Sequence, residues 1–122
     1  MPTGMFPLSA LAVLAFGAPL ACATVDYTRD VKPILAEHCY RCHGARQQKS
    51  GLRMDTVAFM RAGGDTGPAL KTGQTADDTV LLQVILGTHD DVSQMPYKKP
   101  ALRENQVTII RAWLAAGAPA RS

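Results

Sequence analysis

The chain predicts an all-α fold, with a few short helices and loops wrapped around one covalently bound group. Three observations predict it. Apolar residues recur at helical spacing in three separate stretches, and no long stretch alternates as a strand would. The part of the chain that folds is short, and a chain of this size buries only about two-thirds of its unfolded surface. A large apolar group would therefore supply missing core. Finally, Cys39-Tyr40-Arg41-Cys42-His43 is C-x-x-C-H, the attachment signature of c-type haem.

The spacing carries the chemistry. Each cysteine sulfur adds to one haem vinyl group, and the two vinyls lie on neighbouring rings of a rigid macrocycle. Two intervening residues let a helical turn present both sulfurs on one side. His43 then reaches under the ring and gives its imidazole nitrogen to the iron. Three other readings use the same residues. A thiol–disulfide site sits in a βαβ context, and no strand–helix–strand pattern surrounds Cys39. Zinc on His38, Cys39, Cys42 and His43 meets the difficulty that adjacent His–Cys pairs point in different directions. No second C-x-x-C or His pair completes a tetrahedron. A Cys39–Cys42 disulfide is geometrically poor within a helix. One covalently attached haem c, with its iron, is the expected cofactor.

Leu8 to Phe16 is a nearly unbroken apolar run, too short to span a bilayer. Pro19 breaks it, and Ala21-Cys22-Ala23 is a small-x-small cleavage site. Residues 1–23 are expected to be a secretory signal and 24–122 the folded domain. The segment departs from the usual signal pattern in carrying no Lys or Arg. A buried N-terminal helix is the other reading. Lipidation of Cys22 is disfavoured by Pro19, which stands where a bulky aliphatic residue is wanted. Removing 23 of 122 residues leaves 99, with Cys39 and Cys42 as the only cysteines. That length makes one domain, expected in the periplasm or otherwise exported, with no membrane span after cleavage. All charged residues follow Ala23, so the net +3 belongs to the domain. It is too mild to suggest nucleic acid.

Residues 24–30 lead into a first helix that Thr28 or Asp30 caps, with Pro33 in its first turn. Tyr27, Val31, Ile34 and His38 recur at helical spacing on a stripe running into Cys39, with His38 at the surface or edge. A polar loop, Ala45 to Ser50, follows Gly44. Leu52 and Met54 belong to an extended segment expected to line the haem, and Thr56 to Arg61 make a helical turn. Gly63-Gly64-Asp65-Thr66-Gly67-Pro68 is turn chemistry; no glycine here precedes the Lys-Ser/Thr pair of a phosphate loop. These glycines are expected to let backbone approach something flat and large, with Pro68 packing against a ring. Ala69-Leu70 lead to a further loop, Lys71 to Ala76. Asp77 or Asp78 caps a second helix with Val80, Leu81, Val84 and Ile85 on one face and Gly87 at its end. Thr88 to Lys99 is a twelve-residue loop, and so long a loop in a small domain is usually functional. The last helix runs from about Arg103 to Ala116. Val107, Ile110, Trp113 and Leu114 form its apolar face, Asn105 is its only good capping residue, and Gly117 and Pro119 stop it.

A His-ligated iron takes a sixth ligand or keeps an open site. Thioether sulfur suits haem iron and raises its potential. Met1 and Met5 leave with the signal. Met54 and Met60 lie too close to His43 to cross to the opposite face and read as packing. Met95, 52 residues beyond His43, sits in the long loop that Pro96 stiffens and is the expected distal ligand. His89 is the rival; a bis-His haem would sit at lower potential.

On these residues the chain resembles the c-type cytochromes, and closely the planctomycete-type cytochrome c domain family. The likeness runs from Tyr27–Leu35 through Cys39–Gly44, Lys49–Thr56, Gly63–Leu70 and Met95-Pro96 to Trp113–Pro119. It implies a small class I-like fold, thioether attachment at Cys39 and Cys42, His43 as proximal ligand and Met95 as distal ligand. Tyr97 departs from the family's usual second proline, and Arg103 from its serine-like cap. Many members are modules of larger proteins, so the partner is not inherited from the resemblance.

The expected function is one-electron transfer between redox partners, the iron cycling between Fe(II) and Fe(III) with His/Met ligation. No Ser-His-Asp set, carboxylate pair or further metal cluster points to an enzyme, and no distal acid–base pair points to a peroxidase. A haem-based sensor or small-ligand binder is the alternative if the distal bond is labile. Arg41, Arg46, Lys49, Lys98 and Lys99 flank the attachment motif and the Met95 loop. They are expected to form a basic docking face for an acidic redox partner.

Overall fold

In the computed structural model, which describes residues 24–120, the helical run before the cysteines begins earlier than expected. A π-helical turn, Tyr27–Val31, passes directly into α1, Lys32–His38. The cap is Asp26, whose carboxylate accepts from the Arg29 N–H at 2.8 Å. Asp30 lies inside the first turn and accepts from the Asp26 N–H at 2.8 Å, so each aspartate serves an otherwise free donor. Thr28 is exposed. Pro33 lies in the first turn of α1, just past the wide π turn closed by Lys32 N–H to Tyr27 O. A proline there has no N–H to lose from a regular ladder. The signal segment expected at residues 1–23 lies outside the described residues.

Three further helices follow: α2, Val57–Ala62; α3, Val80–Leu86; and α4, Glu104–Ala115. Among the described residues there is no β-strand, only the isolated bridges His43–Gln48 and Gly64–Gly67. The fold is all-α, as the periodicity predicts. No helix among the described residues is long and apolar enough to cross a membrane.

α2 stands where a helical turn is expected and is capped by Thr56, whose hydroxyl accepts from Phe59 N–H at 3.0 Å. α3 is not capped by Asp77 or Asp78, which belong to a preceding 3₁₀ turn, Ala76–Asp78. Thr79 is the last residue with extended backbone, so its hydroxyl faces the free N–H groups and accepts from Leu82 at 3.1 Å. Leu81, Leu82, Val84 and Ile85 are buried, while Val80 is only half-buried.

The cap of α4 is also corrected. Asn105 is exposed and inside the helix. Gln106, three residues past Arg103, carries the capping-box bond: its Oε1 accepts from the Arg103 N–H at 3.1 Å. Its amide nitrogen also reaches Glu37 Oε2 at 3.4 Å, joining the start of α4 to the end of α1.

The core lies between the first helical run, α3 and α4. Tyr27 and Trp113 stand with ring centroids 5.5 Å apart. Trp113 is fully buried, and its Nε1–H donates to Pro119 O at 3.0 Å, folding the C-terminal turn back over the helix. Met54 and Met60 pack in this core, as read from the sequence.

The glycine-rich turn packs tightly on its own chain. A Cβ on Gly64 would collide with Ser50 O and stand 2.8 Å from Leu52 N; one on Gly63 would collide with Gly67 O. The close approach that glycine permits here is to the chain's own backbone.

Candidate haem site

The attachment turn grows out of α1. Cys39 N–H and Tyr40 N–H both donate to Leu35 O, at 2.8 and 3.1 Å. Cys42 N–H and His43 N–H then both donate to Cys39 O, at 3.2 and 2.9 Å. Cys39, Cys42 and His43 therefore share one tight turn. Both thiols are free. The chain leaves through Gly44, where a Cβ would collide with the Tyr40 carbonyl. Lys49 N–H returns to Cys42 O at 2.8 Å, and Met54 N–H donates to His43 O at 2.8 Å. The polar loop is thereby laced to the motif.

His43 is half-buried, and its Nδ1 lies 3.3 Å from Leu52 O. A carbonyl only accepts, so Nδ1 carries the proton and the lone pair stays on Nε2. That is the tautomer a metal-ligating histidine needs, held by the kind of outer partner such ligands use. Leu52, expected as a lining side chain, contributes its backbone carbonyl here.

Met95 is half-buried in the long loop, 88–99. Its N–H donates to Val84 O on α3 at 2.8 Å, and the Met95–Pro96 peptide is cis. Among the described residues no hydrogen bond joins this loop to the 39–43 turn; the two are placed by different parts of the core.

Residues 39–98 match the model of a family described as Planctomycete cytochrome C. Over this stretch the chain is similar to that cytochrome c family. No curated protein and no solved structure matches the chain. The matched span holds the attachment turn, the glycine turn, α3 and Met95, and it leaves α1 and α4 outside. The similarity implies covalently bound haem and its iron, and the residues fit. Two free thiols share one turn with an imidazole whose Nε2 is available, and a thioether is anchored on another element.

The other readings of the motif fare worse. Burial, and then the neighbouring Cys42, push the Cys39 thiol up to about 12, the opposite of an activated redox thiolate. Among the described residues no three His, Cys, Asp or Glu side chains gather as a metal site, so His38 does not join Cys39, Cys42 and His43 around zinc. His38 lies at the helix edge with 17% of its side chain exposed, and its Nε2 stands 3.6 Å from Glu37.

His89 Nδ1 accepts from the N–H groups of Asp91 and Val92, each at 3.1 Å. With that lone pair engaged, the neutral ring carries its proton on Nε2. To bind iron through Nε2 it would have to give up both bonds. Pro68 is half-buried, and Ala69 beside it links α2 to α3: its N–H goes to Met60 O at 2.9 Å, and its carbonyl accepts from Leu81 N–H at 2.8 Å. The hydroxyls of Tyr27 and Tyr40 are buried without a hydrogen-bond partner. Burial, then Tyr27 alongside, raise the Tyr40 phenol well above its ordinary value.

Proposed function

We propose that the chain is a periplasmic monohaem c-type cytochrome that carries single electrons between redox partner proteins. Cys39 and Cys42 hold the haem through thioethers, His43 Nε2 is the proximal ligand and Met95 the distal one, with Leu52 and Pro68 against the ring. When bound, the haem supplies a one-electron Fe(III)/Fe(II) couple. The chain's part is to fix the geometry: the Leu52 carbonyl orients His43 and makes its ring a better donor, and α3 anchors the Met95 backbone. Paired ligands of this kind leave little to rearrange when the electron moves.

The observation that carries this reading is the His43 Nδ1–Leu52 carbonyl contact beside two free thiols in one turn. The haem is tested by expressing the chain with periplasmic export, denaturing it and extracting with acidified organic solvent. The haem should stay on the polypeptide, and Cys39→Ala or Cys42→Ala should leave one thioether at most. Haem that leaves with the solvent, or none at all, overturns the reading.

The partner is an acidic redox protein. Arg41, Arg46, Lys49, Lys98 and Lys99 are all exposed. Among the described residues none of the five is in an ion pair, whereas Arg29, Arg53 and Arg111 each pair with an aspartate. Unpaired cations near the two loops favour brief, electrostatically steered contact.

A further inference from the structure

The end of α3 and the Met95 loop complete one another. The last four carbonyls of a helix have no partner inside it. In α3, Gln83 O accepts from Gly87 N–H and from Thr88 N–H at 2.9 Å, which closes the turn locally. Val84 O, Ile85 O and Leu86 O are left over, and the loop takes the first two. Val84 O accepts from Met95 N–H at 2.8 Å, and Ile85 O accepts from the Gln94 side-chain amide at 3.1 Å. Among the described residues no other hydrogen bond joins 89–99 to a helix. The remaining bonds of the loop are internal, such as Lys99 N–H to Pro96 O at 3.2 Å.

Gly87 is fitted to the same contact. Its φ of 75° is left-handed, which glycine adopts without strain. A Cβ there would stand 3.1 Å from Gln94 Cδ and 3.2 Å from Gln94 Oε1. The bare backbone of Gly87 is what lets the Gln94 amide lie along the helix end.

We propose that Gln94 is a positioning residue for the distal ligand. Its amide clamps the loop to the Ile85 carbonyl, so that Met95 is held by two adjacent bonds instead of one. A single bond at Met95 N–H leaves the segment free to swing about that point; a second, from the preceding residue, fixes its direction. The clamp therefore sets how often Met95 leaves the iron, and so whether the protein acts as a closed electron carrier or admits small ligands. This inference rests on Met95 being the distal ligand.

The test uses the holoprotein with covalent haem. Two readouts are the weak long-wavelength sulfur-to-iron band of the ferric form and carbon monoxide binding to the ferrous form. Met95→Ala fixes the fully open limit: the band is lost and carbon monoxide binds readily. Gln94→Glu keeps the shape but removes the donor, and Gln94→Ala removes both. Each should weaken the band and raise the carbon monoxide-accessible fraction about fivefold, as expected for one lost neutral hydrogen bond. Denaturant midpoints show whether the fold is intact; a merely structural residue would move the midpoint and leave ligation at native conditions unchanged. If both Gln94 variants match wild type in band and carbon monoxide binding while Met95→Ala opens the iron, the clamp is refuted. If Met95→Ala changes neither readout, the distal assignment itself fails, and the clamp with it.

Discussion

The two ends of the candidate site are built in opposite ways. The 39–52 end is mostly local: apart from Asp65 N–H to Ser50 O, its bonds run between residues at most eleven apart, such as Lys49 N–H to Cys42 O and Met54 N–H to His43 O, and His43 Nδ1 to Leu52 O. The Met95 end is borrowed, a loop held on the C-terminal carbonyls of α3 by two bonds. A self-laced turn keeps its geometry while the rest of the chain fluctuates. A loop docked on another element is as stable as that docking. The contrast matches what each end is asked to do. Under the proposed function one would be joined to its cofactor covalently, while the other would make a single exchangeable bond.

The largest expected effect sharpens the contrast by attacking what both ends share. Trp113→Ala removes the fully buried ring that packs on Tyr27 and loses the bond to Pro119 O. It should cost about 3–5 kcal/mol of stability, measured by denaturant titration of the holoprotein. Because the attachment is covalent, the unfolded variant should still carry its haem. Release of haem on unfolding would break the distinction between the two ends.

A smaller effect concerns the surfaces outside each end. Lys98→Glu/Lys99→Glu reverses charge beside the Met95 loop only. Bimolecular electron exchange with an acidic blue-copper protein should slow at least about tenfold at low salt and lose most of its salt dependence. The same double change on Arg46 and Lys49 should show whether the attachment side shares the docking face. Rates independent of salt in the wild type would remove the face altogether.

Much of this architecture is legible in the sequence, and the misses have a common cause. C-x-x-C-H, the apolar stripes of α3 and α4, Gly87 as a helix end and the packing roles of Met54 and Met60 all depend on periodicity or short spacing. The caps of the first helical run, α3 and α4 were misplaced by one to four residues. Several acceptors crowd each helix start, and the winner is whichever side chain faces free N–H groups once the backbone has turned. Gln106 had a readable signal, since glutamine three residues past a helix start is a capping-box partner. Gln94 had none: its acceptor exists only after α3 ends and the loop returns. The Gly63–Gly67 turn shows the limit in another form. Glycines announce that something is close without saying what, and here the neighbour is the backbone at 50–52.

The smallest expected effect lies at the start of the chain's first helical run. Hydrogen bonding from Arg29 and from the Asp26 backbone lowers the Asp30 carboxyl from 3.8 to about 2. A depressed carboxylate contributes stability above its unfolded value and loses it as pH falls through the folded one. Wild type should therefore lose some stability as pH falls from about 4 to about 2. Asp30→Asn should flatten that part of the profile while leaving haem ligation unchanged. The Asp30 carboxylate bonds Asp26 and Arg29 and neither end of the site, and a change in the iron spectrum would contradict their separate construction.

Gly64 reaches further than a turn glycine usually does. It lies against Ser50–Leu52, where a Cβ would collide with Ser50 O and stand 2.8 Å from Leu52 N, and the Leu52 carbonyl is the partner of His43 Nδ1. Any side chain at 64 would push on that segment and shift the carbonyl against the imidazole. The strength of that one contact governs how much electron density the ring can give the metal. Under the proposed function, the electronic character of the iron would be set partly by the absence of a methyl group at a position with no chemistry of its own. A designer wishing to retune the potential without touching a ligand would begin there.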